Sequence, residues 1–176
     1  MKLTDNPSRS FASLVAVLAA SLIWSGCETT TPIESRKEPG QTEVIKRIFV
    51  ISSLAGVKEE LAAAAELQFT ARLRKLGIEH KYVSVSPLGT TQDHRVLYAD
   101  ITQFKPDGIL VLSGGRGVVT PGGTILSVNV NALLHDPSQM VIRWHGLVRN
   151  ASPDMAGMAQ AVIGKLQEDG LLRPGP

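Results

Sequence analysis

Lys105-Pro106-Asp107-Gly108-Ile109-Leu110-Val111-Leu112 is the stretch on which the fold turns. Its first half is turn punctuation, a proline and a glycine flanking an acid. Its second half is a continuous apolar run of strand length, the pattern of a strand buried on both faces. Upstream of it, apolar residues recur mostly at helical spacing; downstream, they alternate. The chain therefore divides here into an α/β half and a β-rich half.

Upstream, Ile48-Phe49-Val50-Ile51 is a second apolar run of strand length, and Ser52 or Ser53 is placed to cap a helix after it. That helix is expected from about Val57 to Leu76. At 100° per residue, Leu61, Ala62, Ala65, Phe69, Leu73 and Leu76 share one side, with Glu59, Glu60, Glu66, Thr70 and Arg74 on the other. Gly77 stops it. Residues 78–85 read as a strand and residues 92–104 as a second helix, with Leu97, Ile101 and Phe104 on one face.

Downstream, the strand at 109–112 is interrupted by Ser113-Gly114-Gly115-Arg116-Gly117 and is expected to resume at Val118-Val119. Pro121-Gly122-Gly123 makes a hairpin loop. Residues 124–134 alternate as a half-buried strand does, and Asp136-Pro137-Ser138 turns the chain into another strand, 139–148, holding Trp144. The three form an antiparallel meander. A last helix has Ser152 as N-cap, Pro153 at its first helical position and Asp154 next, buries Met155, Met158, Ala159, Val162 and Leu166, and ends at Gly170, with Leu171 folding back on Leu166. The expected fold is α/β (α+β): a two-layer sandwich in the order β-α-β-α-β-β-β-α, with a mixed sheet and a C-terminal antiparallel meander.

The N-terminal segment has a different character. Lys2 and Arg9 precede an uncharged apolar run, residues 11–24, that is shorter than the roughly 20 residues of a spanning helix. It ends in Ser25-Gly26-Cys27, which contains the only cysteine of the chain. This is export-signal design. Trp24-Ser25-Gly26-Cys27 resembles the lipobox of bacterial lipoproteins, with Trp24 where that family usually has leucine. The resemblance implies cleavage before Cys27 and attachment of a diacylglyceryl group and a palmitate-type acyl chain to Cys27. The competing possibility is an ordinary signal cut near Ala19-Ala20, leaving Cys27 a free thiol. Glu28 stands where an aspartate would resemble an inner-membrane retention signal, so the expected site is the periplasmic face of the outer membrane. Residues 1–26 are then a signal peptide, 27–43 a polar flexible tether, and 44–176 the periplasmic domain.

Composition narrows the function classes. The 176-residue chain is 43% hydrophobic and 19% charged, values of a globular protein. Without residues 1–26 its formal net charge is +1, and no basic stripe is visible, so nucleic acid is not an expected partner. One cysteine excludes an internal disulfide and a multi-cysteine zinc site.

The domain, from about Arg47 to Leu172, is similar to a group of small envelope domains: the TolB N-terminal domain, penicillin-binding-protein activator lipoproteins, CsgG-like secretion lipoproteins and auxiliary lipoproteins of ABC transporters. The residues carrying the resemblance are Ile48–Ile51, the segment from Pro106 to Gly114, and Met140-Val141-Ile142-Arg143-Trp144 after an Asp-Pro-Ser turn. The chain is too short for the pore-forming insertions of a secretion channel. The resemblance implies a domain that binds other envelope proteins without catalysis.

No catalytic residues and no metal ligands are expected. The segment around Arg116 lacks the Gly-Lys-Ser/Thr and following helix of a phosphate-binding loop, and Ser113 lacks the flanking glycines of a hydrolase elbow. His80, His94, His135 and His145 show no metal-ligand spacing. Asp93, His94 and Asp100 share one helix, whereas acid–base chemistry would call for a group on a second element as well. Arg143 and His145 alternate along the last strand, opposite Trp144, with Arg149 just beyond. Together with Arg116 they are the candidate rim of a partner surface. Trp144 is expected in the core. The expected function is that of a lipid-anchored, non-enzymatic envelope accessory protein, with no cofactor besides the covalent lipid on Cys27. Its partners are the membrane and another envelope protein, and a homo-oligomer is compatible. The alternative is an auxiliary lipoprotein of lipid or solute transport holding a small apolar ligand in a groove beside the long helix.

Overall fold

The computed structural model describes residues 31–54, 57–86, 91–114, 118–119, 125–149, 151 and 154–175. In chain order the elements are β1 (Ile33–Lys37), β2 (Arg47–Ser53), α1 (Glu59–Lys75), β3 (Glu79–Ser84), α2 (Thr91–Phe104), β4 (Gly108–Gly114), β5 (Val118–Val119), β6 (Ile125–Ser127), β7 (Val130–His135), β8 (Ile142–Val148) and α3 (Met155–Glu168). The main sheet has the order β1-β8-β7-β4-β2-β3. β2 is parallel to β3 and β4, whereas β4, β7, β8 and β1 run antiparallel in turn. The chain is an α/β sandwich on a mixed sheet.

The turn at residues 105–108 holds the two halves together. Lys105 takes a left-handed φ of 52° at the end of α2, and its N–H donates to the Ile101 carbonyl at 2.9 Å. The Asp107 carboxylate accepts the N–H groups of Lys46 at 3.0 Å and Arg47 at 2.9 Å, at the entry of β2. Gly108 admits the chain between Ile45 and Leu134; a Cβ there would lie 3.0 Å from the Ile45 side chain. From this point β2 and β4 run side by side, Ile48 against Gly108 through Ser53 against Ser113.

Alternation then sorts side chains to two faces. Ile48, Val50, Leu110, Leu112, Val130, Ala132, Leu134, Trp144 and Val148 join Ala65, Phe69 and Leu73 of α1 and the apolar side of α3 in one continuous core. Phe49 points the other way and meets Phe104 of α2 edge to face, 5.8 Å between centroids. The crossovers explain this division. The β2-α1-β3 and β3-α2-β4 connections move in opposite directions across the sheet, and each must be right-handed, so their helices fall on opposite faces. α2 thus adds a partial layer on the second face.

The two helices on the core face, α1 and α3, end as their sequences imply. Gly77 has φ +70°, with its N–H on the Arg74 carbonyl and that of Ile78 on Leu73. Gly170 repeats the motif with φ +75°, its N–H on Gln167 and that of Leu171 on Leu166. At the start of α3, Asp154 is the N-cap, its carboxylate accepting the Gly157 N–H at 2.7 Å; Ser152 and Pro153, the expected start, lie outside the described residues. At the start of α1 neither Ser52 nor Ser53 caps, because β2 continues through both and Lys58 occupies the cap position.

Three further expectations are corrected. Residues 33–37, placed in the flexible tether, form β1, the edge strand paired from Ile33 against Val148 to Lys37 against Trp144. The domain therefore starts by Ile33 and not at Val44. β5 does not prolong β4; it pairs with β6 in a separate two-stranded sheet. The expected single strand over 124–134 is broken at Val128, whose carbonyl accepts the Ala151 N–H at 2.8 Å instead of continuing a ladder.

Candidate functional site

The two sheet faces differ in how they are covered. Under α1 and α3 the core is sealed, and Phe69, Leu73 and Met158 are each at most 1% exposed. On the second face α2 meets only part of the sheet, with Phe104 on Phe49 and the Asp100 carboxylate 3.0 Å from Lys81 of β3. None of its Leu97, Ile101 and Phe104 is fully buried. Val96 and Tyr98 project outward, 54% and 68% exposed. Beyond the reach of these contacts lie Asn131 and Leu133 of β7, His145 and Leu147 of β8, and Glu34 and Arg36 of β1, with His145, Glu34 and Arg36 exposed.

Of the expected rim residues, His145 is where alternation places it. Arg143 is not a free cation, which corrects its assignment to a partner surface. It shares the face of His145 but is only 6% exposed. Its guanidinium sits 2.9 Å from the Asp136 carboxylate and 2.5 Å from Glu43, and donates to the Asp107 carbonyl at 3.3 Å. A buried guanidinium holds there only because these oxygens replace water. Asp136 is fixed in turn by the Ser138 hydroxyl at 2.6 Å and by the N–H groups of Ser138 and Gln139. The Ser138 hydroxyl first, then these N–H groups and Arg143, hold its carboxyl below the ordinary aspartate range.

Arg149 is exposed but engaged within the chain. Its Nε and Nη2 donate to the two carboxylate oxygens of Glu34 at 3.0 and 3.2 Å, clamping β1 to the end of β8. The hydrogen bond and the opposite charge lower the Glu34 pKa and raise that of Arg149. Arg116 and Cys27 lie outside the described residues.

Trp144 is fully buried, as expected. Its ring lies across Gly146, where a Cβ would come within 2.3 Å of it, and its indole N–H donates to Asp169 at 2.7 Å. The same carboxylate oxygen accepts the Ser35 hydroxyl at 2.8 Å, and Lys37 donates to the Asp169 carbonyl at 2.8 Å. Asp169 thus ties β1, β8 and the end of α3 into one polar knot that no local sequence pattern signals.

The other candidate residues show no assembled chemistry. His80 Nδ1 lies 3.0 Å from the Ile78 carbonyl, and His94 is exposed on α2. Asp93, His94 and Asp100 line a shallow groove between α2 and β3 with Val83, Val96 and Leu97. Among the described residues no three His, Cys, Asp or Glu side chains gather as metal ligands would. No helix of the described residues is long and apolar enough to cross a membrane.

No protein-family model matches the chain, and no curated protein matches it. Solved structures do. A PelC dodecamer from Paraburkholderia phytofirmans superposes with a TM-score of 0.50 at 16% identity, covering 81% of this chain and 100% of that one. Lipoprotein GNA1162 from Neisseria meningitidis matches with a TM-score of 0.38 at 16% identity, over 69% of this chain and 98% of that one. The likeness to the first is one of fold.

Proposed function

We propose that the chain is a lipid-anchored, non-catalytic accessory protein of the cell envelope, which holds a second protein against the open half of its second sheet face. Cys27 is the point of lipid attachment, residues 1–26 the signal, and the periplasmic face of the outer membrane the site of action. The observation that carries the binding role is the unequal covering of the sheet. One face is closed by two helices; the other meets a single helix over β2 and β3 and leaves His145 and Arg36 exposed. A mixed polar and apolar strip of this kind suits a docked protein chain, with Leu133 and Leu147 giving contact area and the polar residues orientation.

A second copy of this chain is one candidate occupant. The PelC structure that shares the fold is a dodecamer, and an assembly of like subunits would place the open face of one copy against its neighbour. The reading as a carrier of a small apolar ligand is not the one the packing favours. The space beside α1 where such a ligand would sit is filled by Phe69, Leu73, Tyr82 and Met158.

A photoreactive residue at His145 in intact cells tests the proposal. The expected result is a discrete higher-mass adduct whose second component is an envelope protein or this chain itself. A photoreactive residue at exposed Glu66 of α1 serves as the negative control. Absence of an adduct from His145, or equal yields from both positions, would contradict the binding face.

A further inference from the structure

We infer that the domain rides close on the bilayer with the tether-bearing end of its sheet turned to the lipid surface and the exposed Met140-Val141-Ile142 patch turned away from it. This deepens the lipid-anchor reading and rests on it. The first observation is length. Because β1 begins at Ile33, only four residue steps separate Cys27 from Thr31, the first described residue. A fully extended chain spans at most about 3.6 Å per residue, so Thr31 lies within about 14 Å of the lipidated residue. The domain is not held off on a long tether.

Direction is the second observation. Pro32 fixes its own φ and biases Thr31 toward extended conformations. The ladder also runs one residue past β1, with the Arg149 N–H donating to the Pro32 carbonyl at 3.4 Å. The chain thus enters β1 along the strand axis, from the end of the sheet and not from its side. The Arg149–Glu34 clamp fixes this entry.

Register shows which structures share that end. Ile33 pairs with Val148, Val148 with Val130, and Val130 with Gly114, so these four lie in one row. β2 ends beside Ser113 at the same level, and α1 starts from there at Lys58. Its 17 residues carry the chain about 25 Å to Lys75 at the opposite end. His135 pairs with Ile109 and with Ile142, which places the Asp136 turn at that opposite end too. There Met140, Val141 and Ile142 are 60%, 46% and 42% exposed. From composition alone this apolar strip would be the part of the surface expected to enter lipid. The path of the chain holds it away, on the side open to proteins.

The test uses the full lipidated chain in phosphatidylethanolamine–phosphatidylglycerol vesicles carrying a fluorescence quencher on the lipid headgroup. Diacylglyceryl transfer turns the Cys27 thiol into a thioether, so a cysteine introduced at exposed Lys58 or Lys75 is a unique labelling site. The label on Lys58→Cys is expected to be quenched several-fold more than that on Lys75→Cys. Inserting roughly 15 Gly/Ser residues before Thr31, with a flexible span of about 20 Å, should erase the difference. Equal quenching at both sites in vesicle-bound protein would overturn the orientation while leaving the anchor intact. Failure of the protein to bind vesicles at all would overturn the anchor reading and this placement with it.

Discussion

Replacing Trp144 by alanine is expected to destabilise the domain by about 3–5 kcal/mol, the range for truncating a large buried aromatic side chain. The ring is fully buried in the core, so its removal leaves a cavity between the sheet and α3. It also takes a charge-assisted hydrogen bond from Asp169. That loss spreads to β1, because Ser35 and Lys37 converge on the same residue. For a domain of this size the midpoint of thermal unfolding should fall by roughly 10 °C or more, measured by circular dichroism on the domain without its signal. Trp144→Phe should recover much of the packing but not the hydrogen bond. A Trp144→Ala midpoint within about 2 °C of the parent would contradict the packing of this ring.

Arg143→Ala is expected to cost about 2–4 kcal/mol. Removing one partner of a buried ion pair leaves the other uncompensated, here Asp136; Glu43, whose side chain is 77% exposed, regains water and contributes little. Asp136, held first by the Ser138 hydroxyl and only lastly by Arg143, also carries a pH signature. The Asp136 carboxyl is held below its ordinary value in the folded protein, so its contribution is present above the unfolded aspartate pKa of about 3.9 and is lost as pH falls through the lower folded value. Urea unfolding at neutral pH and at about pH 3 should therefore show Asp136→Asn to be less acid-sensitive than the parent. Identical slopes of stability against pH in both proteins would show that the carboxylate has no such linkage. Charge reversal at Arg143 is thus a test of folding, whereas His145 probes the surface.

How far these features are legible in the sequence depends on the range of the interactions that make them. The faces of α1 and α3 are set by 3.6-residue periodicity, and their ends by Gly77 and Gly170, so both can be read locally. The runs Ile48–Ile51 and Ile109–Leu112 announce buried strands; Trp144 is buried too, although its apolar neighbours Val141 and Ile142 are themselves exposed. β1 cannot be found this way. Ile33-Glu34-Ser35-Arg36-Lys37 has one apolar residue, and it is a strand because of its ladder to β8 and the contacts of Ser35 and Lys37 with Asp169, 134 and 132 positions away. Arg143 shows the same limit. Alternation puts it on the correct face, but its charge is satisfied by Glu43, Asp107 and Asp136, brought there by three separate connecting segments. Polar residues at strand spacing look alike whether their partner is water or a distant carboxylate.

The correction to β1 bears directly on the anchor. The tether expected over residues 27–43 is cut short by β1, which begins at Ile33, so the proposed lipid attachment at Cys27 lies only six positions before the first strand. Mass spectrometry of the N-terminal peptide of the protein extracted from membranes tests this most directly. The expected product is a mature chain beginning at Cys27, with its mass raised by a diacylglyceryl group and an amide-linked acyl chain, and Cys27→Ala protein released from the membrane fraction. A mature chain beginning near Ser21 with a free Cys27 thiol would contradict it.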